Sequence, residues 1–265
     1  MEFIREFFGF GGYQRQAEGY LSWQHLLFVT SLLAAMTVLA LLLGRRNRKR
    51  SEREKNRVLL GAAIAINGFE MIKIVTKCMQ HGPGEILYLL PLFLCSVQLI
   101  AIPLAALSRG RLREAALDFV CIFGPVGAIL GTYAAGNNYA AYPVLSVDNV
   151  ISGLNHALAG FSAVYVMASG LSSMKRANIP VTYAIILSFC IPAYVMNRLI
   201  DYNYMFLMRG DGTPYDILYN LVGGSPVIYP LGVVFLFLLY ITLYYQAYYL
   251  LRRVFRRRAV MAMIW

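Results

Sequence analysis

A chain of 265 residues that is 59% hydrophobic and only 14% charged has too few charged side chains to cover a water-soluble body of its size. Its formal charge of +11 fits nucleic acid, an anionic membrane surface or topology signals, and only the placement of the charges separates these. Runs of about 20 apolar residues recur between short charged or Gly/Pro-containing breaks, which predicts an all-α, polytopic transmembrane bundle in a single domain over residues 1–265.

The first 20 residues carry Arg5, Arg15, three acids and several glycines, and the apolar run that follows is as long as a full span. This reads as a retained helix and not as a cleaved signal peptide. The first span is predicted at about 21–43, and the later ones at about 58–80, 86–107, 116–136, 150–172, 179–200 and 227–250. Of the 24 Lys and Arg residues, 18 fall in four segments, 44–57, 108–114, 173–178 and 251–258. The positive-inside rule puts all four in the cytoplasm, which places the amino terminus outside and the carboxyl terminus inside. The outer loops then hold one basic residue, Arg209. With the basic runs accounted for by topology and no recognition motif beside them, nucleic acid is excluded as a partner, while anionic lipid headgroups remain partners for the cytoplasmic arginines.

His25, at the outer end of the first span beside Trp23, reads as an interfacial residue, as do His81 and Arg198. In the second span Asn67, Glu70, Lys73 and Lys77 fall within about a third of the helix circumference, a polar stripe that predicts an interior face. Charge inside a membrane points to a site, so Asn67, Glu70 and Lys73 are candidate ligand-binding residues; Lys77 reads as snorkelling to the outer interface.

The third span contains LPLFLCSVQ, Leu90 to Gln98, with Cys95, Ser96 and Gln98 beside Pro91. Cys95 and Ser96 are candidate nucleophiles and Gln98 a candidate ligand contact. A cysteine in hydrocarbon is more often a small packing residue, so Cys95→Ala is expected to be tolerated. The fourth span sets Gly124, Gly127 and Gly131 on one strip, read as packing. In the fifth span His156 shares a face with Gly153 and Gly160, which makes it the candidate base for any nucleophile and a candidate ligand contact. The four cysteines have no paired spacing, and no metal or cofactor is called.

SWQHLL, LPLFLCSVQ, the histidine of the fifth span and NYMFLMRGDGTPYDIL, Asn203 to Leu218, together resemble the YwaF-like family of bacterial integral membrane proteins, along nearly the whole chain. The resemblance implies a multi-pass protein of the bacterial inner membrane. Eukaryotic relatives look like lipid acyltransferases, and more distant ones like threonine/histidine lipid hydrolases, which implies a bundle that admits an acyl chain. The family pattern Leu-Pro-Leu-His-Leu-Cys has Phe93 here in place of its histidine, and the cysteine of the acyltransferase relatives falls at Leu92. His25, His156 and Asn203 match the pattern, which adds His25 and Asn203 to the candidate ligand contacts. Two functions follow: binding or transport of a lipid or other lipophilic small molecule in an internal polar pocket, or acyl transfer or hydrolysis through Cys95 or Ser96 with His156 as base. A membrane scaffold is the third, disfavoured by the intramembrane charge.

Overall fold

The computed structural model of the chain describes residues 2–262 and is helical throughout, with no strand among the described residues. In chain order the α-helices are α1 (Glu2–Phe8), α2 (Trp23–Asn47), α3 (Glu52–His81), α4 (Gln98–Leu107), α5 (Gly110–Tyr133), α6 (Gly136–Ala141), α7 (Val147–Ser169), α8 (Ile179–Ile200), α9 (Tyr215–Leu221) and α10 (Ile228–Ala262). Six of the helices are long and apolar enough to cross a membrane. Three of them begin at side-chain caps that the sequence provides. Ser22 and Ser146 accept from backbone N–H groups at the starts of α2 and α7, and Ser51 with Glu54 forms a capping box on α3. Gly170 stops α7 in the left-handed region at φ 73°.

The expected third span is not one helix. Residues 86–107 divide into the end of a 3₁₀ turn (Pro83–Tyr88), an irregular stretch over 89–97, and α4. Gly82, at φ 97°, ends α3 with Pro83 directly behind it. Pro91 offers no N–H and disfavours a helical Leu90, so the apolar run cannot close its ladder there. The segment nonetheless retraces α3 in the opposite direction. Its 3₁₀ turn packs on α3, Asn67 Nδ2 donates to Leu99 O at 2.9 Å, and Asn56 Nδ2 donates to Ala106 O at 2.7 Å.

The chain forms two compact units, Met1–Ser172 and Ser173–Trp265, where the sequence reads as one membrane domain. In the first unit, α5 and α7 are packed most closely. Gly124 lets the backbone of Ala159 approach, with a Cβ there meeting Ala159 O at 2.7 Å, and Gly160 meets Ala128. Gly153 faces the other way, onto Phe28 of α2. Gly127 has open space where its side chain would be, so it is not part of the packed strip.

Lysine- and arginine-bearing helix ends gather at one end of this unit. Arg113 pairs with Glu52 at 3.0 Å, and Tyr165 donates to Lys55 O at 2.9 Å while accepting from Asn47 at 3.1 Å. Helix α3 is built inside out relative to a soluble helix. Glu70 and Lys77 are buried, while Ile64, Met71, Val75 and Met79 are exposed.

In the second unit, α8 and α10 pack together, held by Thr182 and Tyr245, whose hydroxyls are 3.1 Å apart, and by Tyr183 and Thr242. The side chains of Arg256, Arg257 and Arg258, part of the carboxyl-terminal basic run, lie outside the described residues.

Candidate functional site

The intramembrane charges of α3 are all engaged from α7 or from their own helix. Lys73 Nζ lies 2.6 Å from Glu70 Oε1, the i,i+3 pair that the spacing allows. The other carboxylate oxygen, Oε2, accepts from Asn155 Nδ2 at 2.8 Å. Two turns outward, Lys77 Nζ lies 2.6 Å from Asp148 Oδ1. The two cross-helix contacts are thus seven residues apart in each of two antiparallel helices.

Around Glu70 the chemistry is dense. The Glu70 side chain is 9% exposed and that of Lys73 is 23% exposed, so part of the lysine side chain stays accessible, and its ammonium has three N–H donors for one ion pair. Asn67 is tied by its amide N–H groups to Ala63 O and Leu99 O, both at 2.9 Å, which fixes the depth of α4 on α3. Cys95 is exposed, its sulfur bonded by the Ser96 side chain, and the charges of Lys73 and Glu70 act on it. His156 is half-buried and sits over Gly131, in the space that a side chain there would fill. Its ring faces the Gly127 carbonyl and lies in the field of Lys73. Gly131 is thus part of the histidine's setting and not only a packing residue.

Gln98 is 1% exposed, and among the described residues neither end of its amide meets a partner. The Oδ1 of Asn155 is likewise unpartnered, although its Nδ2 holds Glu70. Asn67, Glu70, Lys73, Cys95, Ser96, Gln98 and His156 therefore belong to one neighbourhood of α3, α4, α7 and the irregular stretch. Among the described residues no three His, Cys, Asp or Glu side chains gather as a metal site. The available groups are an ammonium, a carboxylate, amides, a thiol and an imidazole.

His25 and Asn203 are elsewhere. His25 is fully buried, not interfacial, with its ring stacked on Tyr139 at 3.7 Å between centroids. Leu21 N–H donates to Nδ1 at 3.2 Å, which assigns the proton to Nε2, 3.0 Å from Thr132 O. Both ring nitrogens are therefore used structurally. Trp23, two residues earlier and some 200° around the helix, is 70% exposed. Asn203 lies in the second unit, where Oδ1 accepts from Met208 N at 2.9 Å and Nδ2 donates to Arg209 O and Asp211 Oδ2, both at 2.7 Å. Those bonds fold the loop 201–211 on itself, with Arg209 bonding Asp211 at 3.0 Å.

Sequence reasoning missed the outer charge pair. Lys77 does not snorkel; it is 7% exposed, bound to Asp148, and lies 4.5 Å from the Tyr142 ring centroid. Tyr13 completes the cluster by donating to Asp148 Oδ2 at 2.8 Å. The signal is one opposite charge per helix at matching depth, hidden because Asp148 precedes the predicted start of the fifth span at about 150 while α7 begins at Val147.

Neither the curated proteins nor the solved structures give a match to the chain. A family model does match, over residues 20–249, a range that includes α2 to α9, most of α10 and the Glu70 neighbourhood; the protein belongs to the TMEM164 family, a transmembrane family.

Proposed function

We propose that this membrane protein binds or transports a membrane lipid, or a lipophilic molecule of similar headgroup chemistry, at the Glu70 site. The observation that carries this reading is the Lys73 ammonium, paired within an apolar helix to Glu70, whose other oxygen Asn155 holds, while 23% of the lysine side chain stays accessible. An isolated structural ion pair needs no such opening, and an anionic headgroup matches the free donors of the ammonium. The resemblance to YwaF-like bacterial proteins supports a bacterial inner membrane as its location.

The topology that goes with this reading has seven crossings and an outside amino terminus. Helix α3, at 30 residues and about 45 Å, exceeds the hydrocarbon thickness, and the broken segment after it returns alongside its whole length. Counting that segment as a crossing puts 44–57 and 108–114 on one side, as their charges require. Cytoplasmic arginines on these segments then contact anionic headgroups. Native mass spectrometry of the purified protein is the test: wild type retains phospholipid and Lys73→Met loses it, and a wild type that releases with nothing bound overturns the reading.

One observation favours acyl transfer as a second reading. Cys95 is exposed, and both it and His156 lie in the field of Lys73. In that reaction His156 takes the thiol proton as sulfur attacks an ester carbonyl. The leaving alkoxide recovers the proton, and a thioester remains on Cys95 for an acceptor hydroxyl. Intact-mass analysis distinguishes the two readings: an acyl adduct present in wild type and missing in Cys95→Ala establishes transfer, and bound lipid without any adduct leaves binding alone.

A further inference from the structure

We infer that Gln98 recognises an acyl ester, its amide N–H group donating to the ester carbonyl of a phosphoglyceride whose phosphate rests on Lys73. The inference rests on the lipid-binding reading and specifies the ligand's chemistry.

Three observations meet at this residue. Gln98 opens α4, an otherwise apolar helix of sequence QLIAIPLAAL, and is 1% exposed with both Nε2 and Oε1 unpartnered among the described residues. A buried amide in that condition is expensive, whereas a leucine of similar volume would carry no such cost, so the amide has no structural reason to be there. Its position ties it to the charged site. The Gln98 N–H donates to Cys95 O at 3.4 Å, and the Cys95 sulfur lies in the fields of Lys73 and Glu70.

The depth is also suitable. Asn67 holds the next residue, Leu99, by its carbonyl, so Gln98 lies at the level of Asn67, one to two turns inward of Lys73. That is roughly 9 Å along the helix, a separation that the glycerol unit bridges between a phosphate and its acyl carbonyls. An ester carbonyl is a strong acceptor for an amide N–H, and an ether oxygen at the same place is a poor one. The amide therefore reads the linkage of the chain, while Lys73 reads the headgroup.

The test is native mass spectrometry of the full-length protein incubated with dioleoyl phosphatidylglycerol and, separately, with its dialkyl ether analogue. Wild type should retain the diester about tenfold better than the diether, the value of one amide hydrogen bond made in a dry site. Gln98→Leu should retain both at the lower level with no loss of thermal stability, and Lys73→Met should lose both. Equal retention of diester and diether by wild type, a preference that survives in Gln98→Leu, or an unfolding temperature lowered by several degrees in Gln98→Leu overturns the role of Gln98. Lipid retained without linkage preference leaves the lipid-binding reading standing, and retention of neither lipid overturns both.

Discussion

Lys77 Nζ and Asp148 Oδ1 lie 2.6 Å apart with side chains 9% and 6% exposed, joining the outer turns of α3 and α7 by a desolvated ion pair. Removing one partner strands the other charge in a medium that cannot hydrate it. Lys77→Met and Asp148→Leu should each cost about 3–5 kcal/mol, and the double substitution should recover most of that loss. Thermal unfolding of the four proteins in detergent reads the cycle; equal losses that simply add would show that the two charges are not coupled.

The segment before α2 is strapped to the same end of the first unit by Tyr13 and Glu18 and folded on itself by Glu6, and Glu6 and Tyr13 work at opposite ends of the pH scale. Backbone N–H groups of Arg15 and Gln14 hold the Glu6 carboxyl below its ordinary range, so its contribution is present above about pH 4.5 and is lost as pH falls through the lowered value. Burial first, and then the Asp148 carboxylate, push the Tyr13 phenol above its ordinary value of 10. That contribution is complete below pH 10 and is lost as pH rises toward the raised value. Hydrogen-exchange protection of the Gln14 and Arg15 amides should fall on acidification, and cleavage by trypsin after Arg15 should quicken above pH 10. Tyr13→Phe should show the faster cleavage already at neutral pH.

Gly131 leaves room for the His156 ring, and no Cβ can stand there without displacing it. Gly131→Ala should destabilise the bundle by about 1–3 kcal/mol, as overpacking does, while Gly127→Ala, which meets open space, should be neutral or slightly stabilising in its helix. In a His156→Ala background Gly131→Ala should cost much less. Chemical unfolding of the four variants checks the coupling, and a cost for Gly131→Ala that persists without the imidazole would assign the strain to the backbone.

His25→Phe keeps the stack on Tyr139 and strands both Leu21 N–H and Thr132 O, so it should cost about 1–3 kcal/mol. The loss should appear in thermal unfolding with lipid retention per folded molecule unchanged, because His25 makes its contacts away from the Glu70 neighbourhood. A selective loss of bound lipid would move His25 into the site.

The long helices were legible because an apolar run of span length has few alternatives, and the Glu70 to Lys73 pair because it lies within one helix. What the sequence hid depended on partners far away in the chain. Asn155 and Asp148 reach Glu70 and Lys77 across 85 and 71 positions, and no local pattern encodes that choice. His25 was misread because its neighbour Trp23 is a lipid-interface residue by type, while the helix turns the two to opposite faces. Pro91 was visible, but an apolar run outweighed it; the structure gives the proline its usual effect.

The contacts of Glu70 with Asn155 and of Lys77 with Asp148 share a spacing of seven residues in both helices, close to two whole turns. A slide or screw of α3 along α7 by a single turn would break both at once, stranding the Lys77 ammonium and the Asp148 carboxylate in an apolar interior while the Glu70 to Lys73 pair, both on α3, moved intact. The cost of such a state removes it from the accessible motions, so α3 and α7 move as one body. Any opening that admits a lipid must then come from the flank made by the irregular stretch 89–97, where fewer helical hydrogen bonds resist displacement and where Cys95 already meets the surroundings.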